Sequence, residues 1–153
     1  MDREAQDKLL AGAGVVAGIV GLIVFFGKRW KRAPRELFAD ITVDENGMDV
    51  SYRPETIEDA SISRRDFVIW RVKNLSEERV TVCVKGFKTV DNNTCEDPLD
   101  DVDHDRGKCR NVPDEGSRDI RSQVKKSARK GTYKYSIFVN DREAVDPRLS
   151  IVD

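Results

Sequence analysis

DFVIWRVKN, residues 66–74, decides the fold of this chain. Val68, Trp70 and Val72 alternate with Ile69, Arg71 and Lys73, so the apolar side chains follow a period of two and one face of a strand is buried. The same alternation recurs at 79–90, where Val80, Val82 and Val84 interleave with Thr81, Cys83 and Lys85. At 132–140 the inward row is Tyr133, Tyr135, Ile137 and Val139. Residues 149–152 make a fourth clear strand, and 37–43, 48–52 and 117–124 are weaker ones. Three inward rows supply a sheet-on-sheet core, and about seven strands is the arithmetic of a Greek-key β-sandwich.

Working outward, the whole chain has 153 residues, with 27 Lys+Arg against 28 Asp+Glu and one histidine. That is one domain's worth of sequence, and its charge balance excludes a polycationic nucleic-acid binder, so no nucleic-acid partner is expected. The apolar residues are unevenly spread. Residues 9–27 read LLAGAGVVAGIVGLIVFFG, without a charge, an amide or a proline, and a helix of this length spans roughly 28 Å, a bilayer core. A cleavable leader would have a basic start and a small-x-small site; here Asp2, Glu4 and Asp7 outnumber Arg3 and Lys8, and no Ala-x-Ala follows Phe26. The reading is therefore a mainly β protein with one N-terminal transmembrane helix. Residues 1–8 form a short tail, 9–27 the span, 28–36 a basic juxtamembrane linker and 37–153 the sandwich.

The flanks orient the span. Lys28, Arg29, Lys31, Arg32 and Arg35 follow it, so the positive-inside rule puts the N-terminus outside and the C-terminal domain in the cytoplasm. Phe25, Phe26 and Trp30 are expected at the headgroup boundary beside these cations. Ala11, Gly14, Ala17, Gly18 and Gly21 form a smooth stripe at three- and four-residue spacing, which suits close helix packing in a larger membrane complex or a homo-oligomer.

Residues 91–117 interrupt the sandwich as a long connection rich in Asp, Asn and Pro, and connections of that length are usually functional or disordered. The order DFVIWRVKN, then RVTVCVKGF, then GTYKYSIFVN with Gly131, Tyr133 and Tyr135 resembles the cupredoxin-like sandwich over residues 66–152, and immunoglobulin-like sandwiches share much of the pattern. In copper-binding members the Tyr-x-Tyr strand leads into a Cys, followed by a His and a Met. Ser136 stands where that Cys belongs, residues 137–142 hold neither His nor Met, and 80–90 hold no His. The resemblance thus implies the fold without its copper ligands, and no cofactor is expected.

Cys83, Cys95 and Cys109 make an odd count. Cys83 reads as an inert thiol on its strand, and Cys95 with Cys109 as the pair that can bridge across the acidic loop. A cytoplasmic domain would keep them reduced, so such a bridge would oppose the orientation above. A metal alternative gathers Cys95, Asp101, Asp103, His104, Asp105 and Cys109, as a zinc or electron-transfer site. Its Cys-x8-His-x4-Cys spacing is not that of a familiar finger. For calcium, Gly107 falls one place late in a loop counted from Asp101, and Val112 stands where a bidentate Glu is needed.

Charge is segregated. Residues 91–105 hold seven acids and no base, whereas 117–134 hold Arg118, Arg121, Lys125, Lys126, Arg129, Lys130 and Lys134 against Asp119. The first six of those cations are candidate contacts for a partner or for anionic lipid; pairing with the acidic loop or simple solvation are the alternatives. No phosphate loop, nucleophile elbow or zinc-hydrolase motif is present, so the chain is not expected to be an enzyme. The expected function is that of a membrane-anchored, noncatalytic accessory or scaffolding subunit. The alternative is a metal-binding or electron-transfer domain using the 95–109 loop.

Overall fold

A computed structural model describes residues 32–153, in which ten strands follow one another: β1 (Glu36–Val43), β2 (Val50–Arg53), β3 (Thr56–Ser61), β4 (Phe67–Asn74), β5 (Val80–Thr89), β6 (Lys108–Val112), β7 (Ser117–Gln123), β8 (Gly131–Val139), β9 (Arg142–Val145) and β10 (Arg148–Val152). The expected span at 9–27, its small-residue stripe and the interface residues Phe25, Phe26, Lys28, Arg29, Trp30 and Lys31 lie outside the described residues. No helix among the described residues is long and apolar enough to cross a membrane.

Two sheets share one core. The first has the order β2-β1-β4-β7, and the second β3-β10-β8-β5-β6 with β9 paired to β8. Two of the pairings are parallel, β1 with β4 and β3 with β10; the rest are antiparallel. The inward rows read from the sequence are the rows that pack: Val68, Trp70 and Val72 from β4, Val80, Val82 and Val84 from β5, and Tyr133, Tyr135, Ile137 and Val139 from β8 are buried in the same cluster. At β5 the alternation slips. Gly86 takes φ +73°, the register against β8 shifts between Lys85 and Lys88, and the extra residue turns Phe87 inward, where it is fully buried.

The described residues therefore hold three strands more than the expected seven or so. β3, β6 and β9 were not anticipated because they are short and polar: β3 reads TIEDAS, β6 reads KCRNV with only Val112 buried, and β9 has four residues. β6 lies inside the stretch expected to be one long loop. The remainder of that stretch is also anchored, since Leu99 and Val102 are buried and Leu99 bridges to Val124.

The tyrosine and tryptophan rings at the centre need partners for their polar atoms. Tyr135 Oη lies 2.6 Å from Tyr52 Oη and accepts from Trp70 Nε1 at 3.0 Å, while Phe87 stacks on its ring at 4.7 Å. Burial pushes Tyr52 up to about 12 and Tyr135 well above the usual phenol range, so both stay neutral. Tyr135→Phe removes the acceptor of a buried indole N–H. It is expected to cost about 1.5 kcal/mol in urea unfolding, with an unchanged β-sheet circular dichroism spectrum.

Candidate functional site

The end of the sandwich at which residue 32 enters is organised by one carboxylate. Asp66 is fully buried immediately before β4, where a charge survives only if it is paired and hydrogen-bonded. It accepts from Arg35 N at 2.8 Å, Ser61 N at 3.0 Å, Arg35 Nη2 at 3.0 Å, and Arg64 Nε and Nη2 at 3.1 and 3.2 Å. Burial works to raise its pKa, but the hydrogen bonds from Arg64, Arg35 and Ser61 outweigh it and hold the carboxyl at about 2. Asp66 so ties the incoming segment to β3 and β4.

Beside this clamp, Arg65 pairs with Asp100 and reaches the Val124 carbonyl, while Gln123 Nε2 donates to the Arg65 carbonyl at 2.9 Å. Of these, Arg65 and Gln123, with Arg32, Ala33, Pro34, Ile62, Ser63, Arg64 and Lys126, line a concavity of about 540 Å³. Four cations and no carboxylate line it. At the opposite end, the turns after β1, β4 and β6 bring Glu45, Glu77, Glu78 and Glu115 around a wider depression, with Met48 exposed and Arg142 Nη2 bonded to the Met48 carbonyl at 2.8 Å. The two ends differ in sign, a polarity that the linear sequence does not display.

The six cations expected to meet a partner or lipid are divided. Arg118 and Arg121 stand exposed on β7, where Arg121 pairs with Glu36 at 2.9 Å and lies over the Phe67 ring at 4.0 Å. Lys125, Lys126, Arg129 and Lys130 lie in the β7–β8 connection. Lys125 Nζ donates to the Asp97 carbonyl at 2.8 Å and Arg129 approaches Glu96 at 3.8 Å, so part of the basic segment pairs with the acidic stretch.

The cysteine expectation is corrected. The bridge joins Cys83 to Cys109, not Cys95 to Cys109, and Cys95 is exposed and free. The cause is register: β6 runs antiparallel to β5 with Cys109 directly opposite Cys83, their Cα atoms 4.0 Å apart. Gly107 makes this approach possible. It takes φ +70°, and a Cβ there would meet Lys85 Cβ at 2.5 Å and the Val84 carbonyl at 2.6 Å. Cys83 is accordingly not the free thiol expected.

The alternative metal set does not assemble. Cys109 is consumed by the bridge, Asp103 accepts from Asp105 N and Arg106 N as a local turn, and among the described residues no three His, Cys, Asp or Glu side chains are grouped to hold a metal ion. The two backbone donors hold the Asp103 carboxyl below its usual range. Burial raises that of Asp97, against the pull of Lys125 and His104. Asp97 Oδ1 and His104 Nδ1 are buried atoms with no hydrogen-bond partner. Ser136, in the position of the copper cysteine, donates instead to Glu143.

Sequence reasoning missed Asp66, the Arg64 and Arg65 pair and the opposite acidic end. A carboxylate preceded by two arginines at the start of a buried strand is the available signal for the first two.

No protein-family model matches the chain, and no curated protein matches it. Among solved structures, the chain is similar to a blue copper oxidase from Nitrosomonas europaea, with 9% identity, a TM-score of 0.40 and coverage of 79% of this chain and 45% of that one. It is also similar to a multi-copper oxidase from Pediococcus acidilactici, with 15% identity, a TM-score of 0.39 and coverage of 80% and 27%. The chain thus spans less than half of either neighbour. Likeness at this level carries no argument about chemistry. This chain is a mainly β two-sheet sandwich on the evidence of its own strands.

Proposed function

We propose that the protein is a noncatalytic accessory or scaffolding subunit, anchored by residues 9–27 and presenting the β-sandwich to other proteins of a membrane complex. One observation carries this reading: an uncharged apolar stretch of bilayer length is followed, within a few residues, by the cation-lined end of a rigidly clamped sandwich. The small-residue stripe from Ala11 to Gly21 packs against the partner's helices, and the sandwich contributes a charged soluble contact. Replacing both Gly14 and Gly18 with leucine tests it. Bound partners are expected to be lost on detergent purification while the chain stays in the alkaline-washed membrane fraction; unchanged partners would contradict helix packing.

The orientation rests on opposed rules. The cation-rich flank places the domain in the cytoplasm, which is the primary reading. The Cys83–Cys109 bridge favours a second one, with the domain on the oxidising side. A membrane-impermeant maleimide applied to intact cells separates them through exposed Cys95: labelling only after permeabilisation supports the cytoplasmic placement, and labelling of intact cells supports the other.

A further inference from the structure

We propose that the concavity formed by Arg32, Arg64, Arg65 and Lys126 holds the phosphate of an anionic lipid headgroup. This deepens the membrane reading above and rests on it. The four cations come from three separate segments, the linker, the β3–β4 turn and the β7–β8 connection, and converge on one hollow. Their charge is incompletely answered. Arg35 and Arg64 share the single Asp66 carboxylate, and Asp100 takes Arg65. Arg32 and Lys126 have no ion-pair partner among the described residues. Asp153, which accepts from Ser63 Oγ at 3.3 Å, is an acid at the rim.

Geometry makes these cations suited to phosphate. Arg64 is fixed by its Nε and Nη2 bonds to Asp66, and Arg65 by Asp100 and the Val124 carbonyl, so neither must be ordered on binding. Guanidinium groups with donors to spare match phosphate oxygens.

Three features favour a lipid over a free phosphate. Pro34 and Ile62 give the hollow an apolar wall, which an inorganic anion does not use but a glycerol and acyl stem does. In sequence, Arg32 is five residues beyond Gly27, the end of the proposed span, and five extended residues cover at most about 18 Å. The far end of the sandwich is lined by Glu45, Glu77, Glu78 and Glu115, and an anionic surface repels it, which turns the cationic end toward the lipid.

The test titrates the full chain, in an uncharged detergent, with dioctanoyl phosphatidic acid, dioctanoyl phosphatidylcholine and inorganic phosphate. Phosphatidic acid is expected to bind and phosphatidylcholine not to. Arg32→Gln with Lys126→Gln, both exposed positions, should weaken binding roughly 30-fold with unchanged thermal unfolding. Lys73→Gln with Lys134→Gln, exposed cations elsewhere, should alter it less than about threefold. An equal loss in both double variants, no loss in the first, or inorganic phosphate binding as tightly as phosphatidic acid would each overturn the proposal. Short-chain lipids reach the hollow without a bilayer. Release of the chain by alkaline washing would therefore defeat the anchor while this titration stayed readable.

Discussion

Asp66→Asn is expected to destabilise the sandwich by about 3 kcal/mol at neutral pH, the scale for removing one partner from a buried charge cluster. Two arginine side chains and two backbone N–H groups converge on this carboxylate. Arg35 also donates to the Asp59 carbonyl at 2.6 Å, so its loss from Asp66 is cushioned, whereas Arg64 and the Ser61 N–H are not. The native carboxyl titrates at about 2, below its ordinary 3.8. A depressed carboxylate contributes stability that is fully present above its unfolded pKa and lost as pH falls through its folded one. The wild-type protein should therefore lose about 2 kcal/mol from Asp66 between roughly pH 5 and pH 2, and the asparagine variant should lack that component. Urea unfolding of both proteins at pH 7 and pH 3 measures it. A difference between them that does not shrink on acidification would contradict the assignment of the charge to Asp66.

The second large effect belongs to the bridge. Cys83→Ser with Cys109→Ser is expected to cost about 3 kcal/mol, because the closed loop has a sequence separation of 26 and its restraint on the unfolded chain is lost. In thermal unfolding this is a fall of roughly 10 °C. β6 is an edge strand with one buried side chain, so it and the 91–107 segment should be the first part to exchange backbone protons when the bridge is absent. The native protein should offer one reactive thiol, Cys95, and three after reduction. Three reactive thiols without reduction, with the same melting temperature in the serine variant, would show that β5 and β6 are not joined.

The strands that are legible are those with a long apolar row at a period of two. In β8 every second side chain from Tyr133 to Val139 is buried, and in β4 Val68, Trp70 and Val72 keep that period although Ile69 between them is buried too. β3 and β6 escaped notice because edge strands bury one or a few residues and carry charges elsewhere. That omission caused the error over the cysteines. Once residues 108–112 are read as loop, Cys95 and Cys109 look like its two ends, whereas the bond follows from the β5–β6 register. The cationic hollow was only half visible. Arg32 and Lys126 each stand in a basic run of the sequence, whereas Arg64 and Arg65 sit in a short turn without one, and only the sheet pairings bring the three segments to one end. Local patterns report a side chain's face, and convergence of distant turns depends on topology that such patterns do not contain.

We propose that the chain serves as a membrane-anchored subunit of a larger assembly. The most direct test is to purify the native protein from its own membranes in mild detergent and determine the mass and composition of what accompanies it. A stoichiometric complex with other membrane proteins, depleted by the Gly14 and Gly18 leucine substitutions, is the expected result. Recovery of the chain alone, or in the soluble fraction, would contradict it.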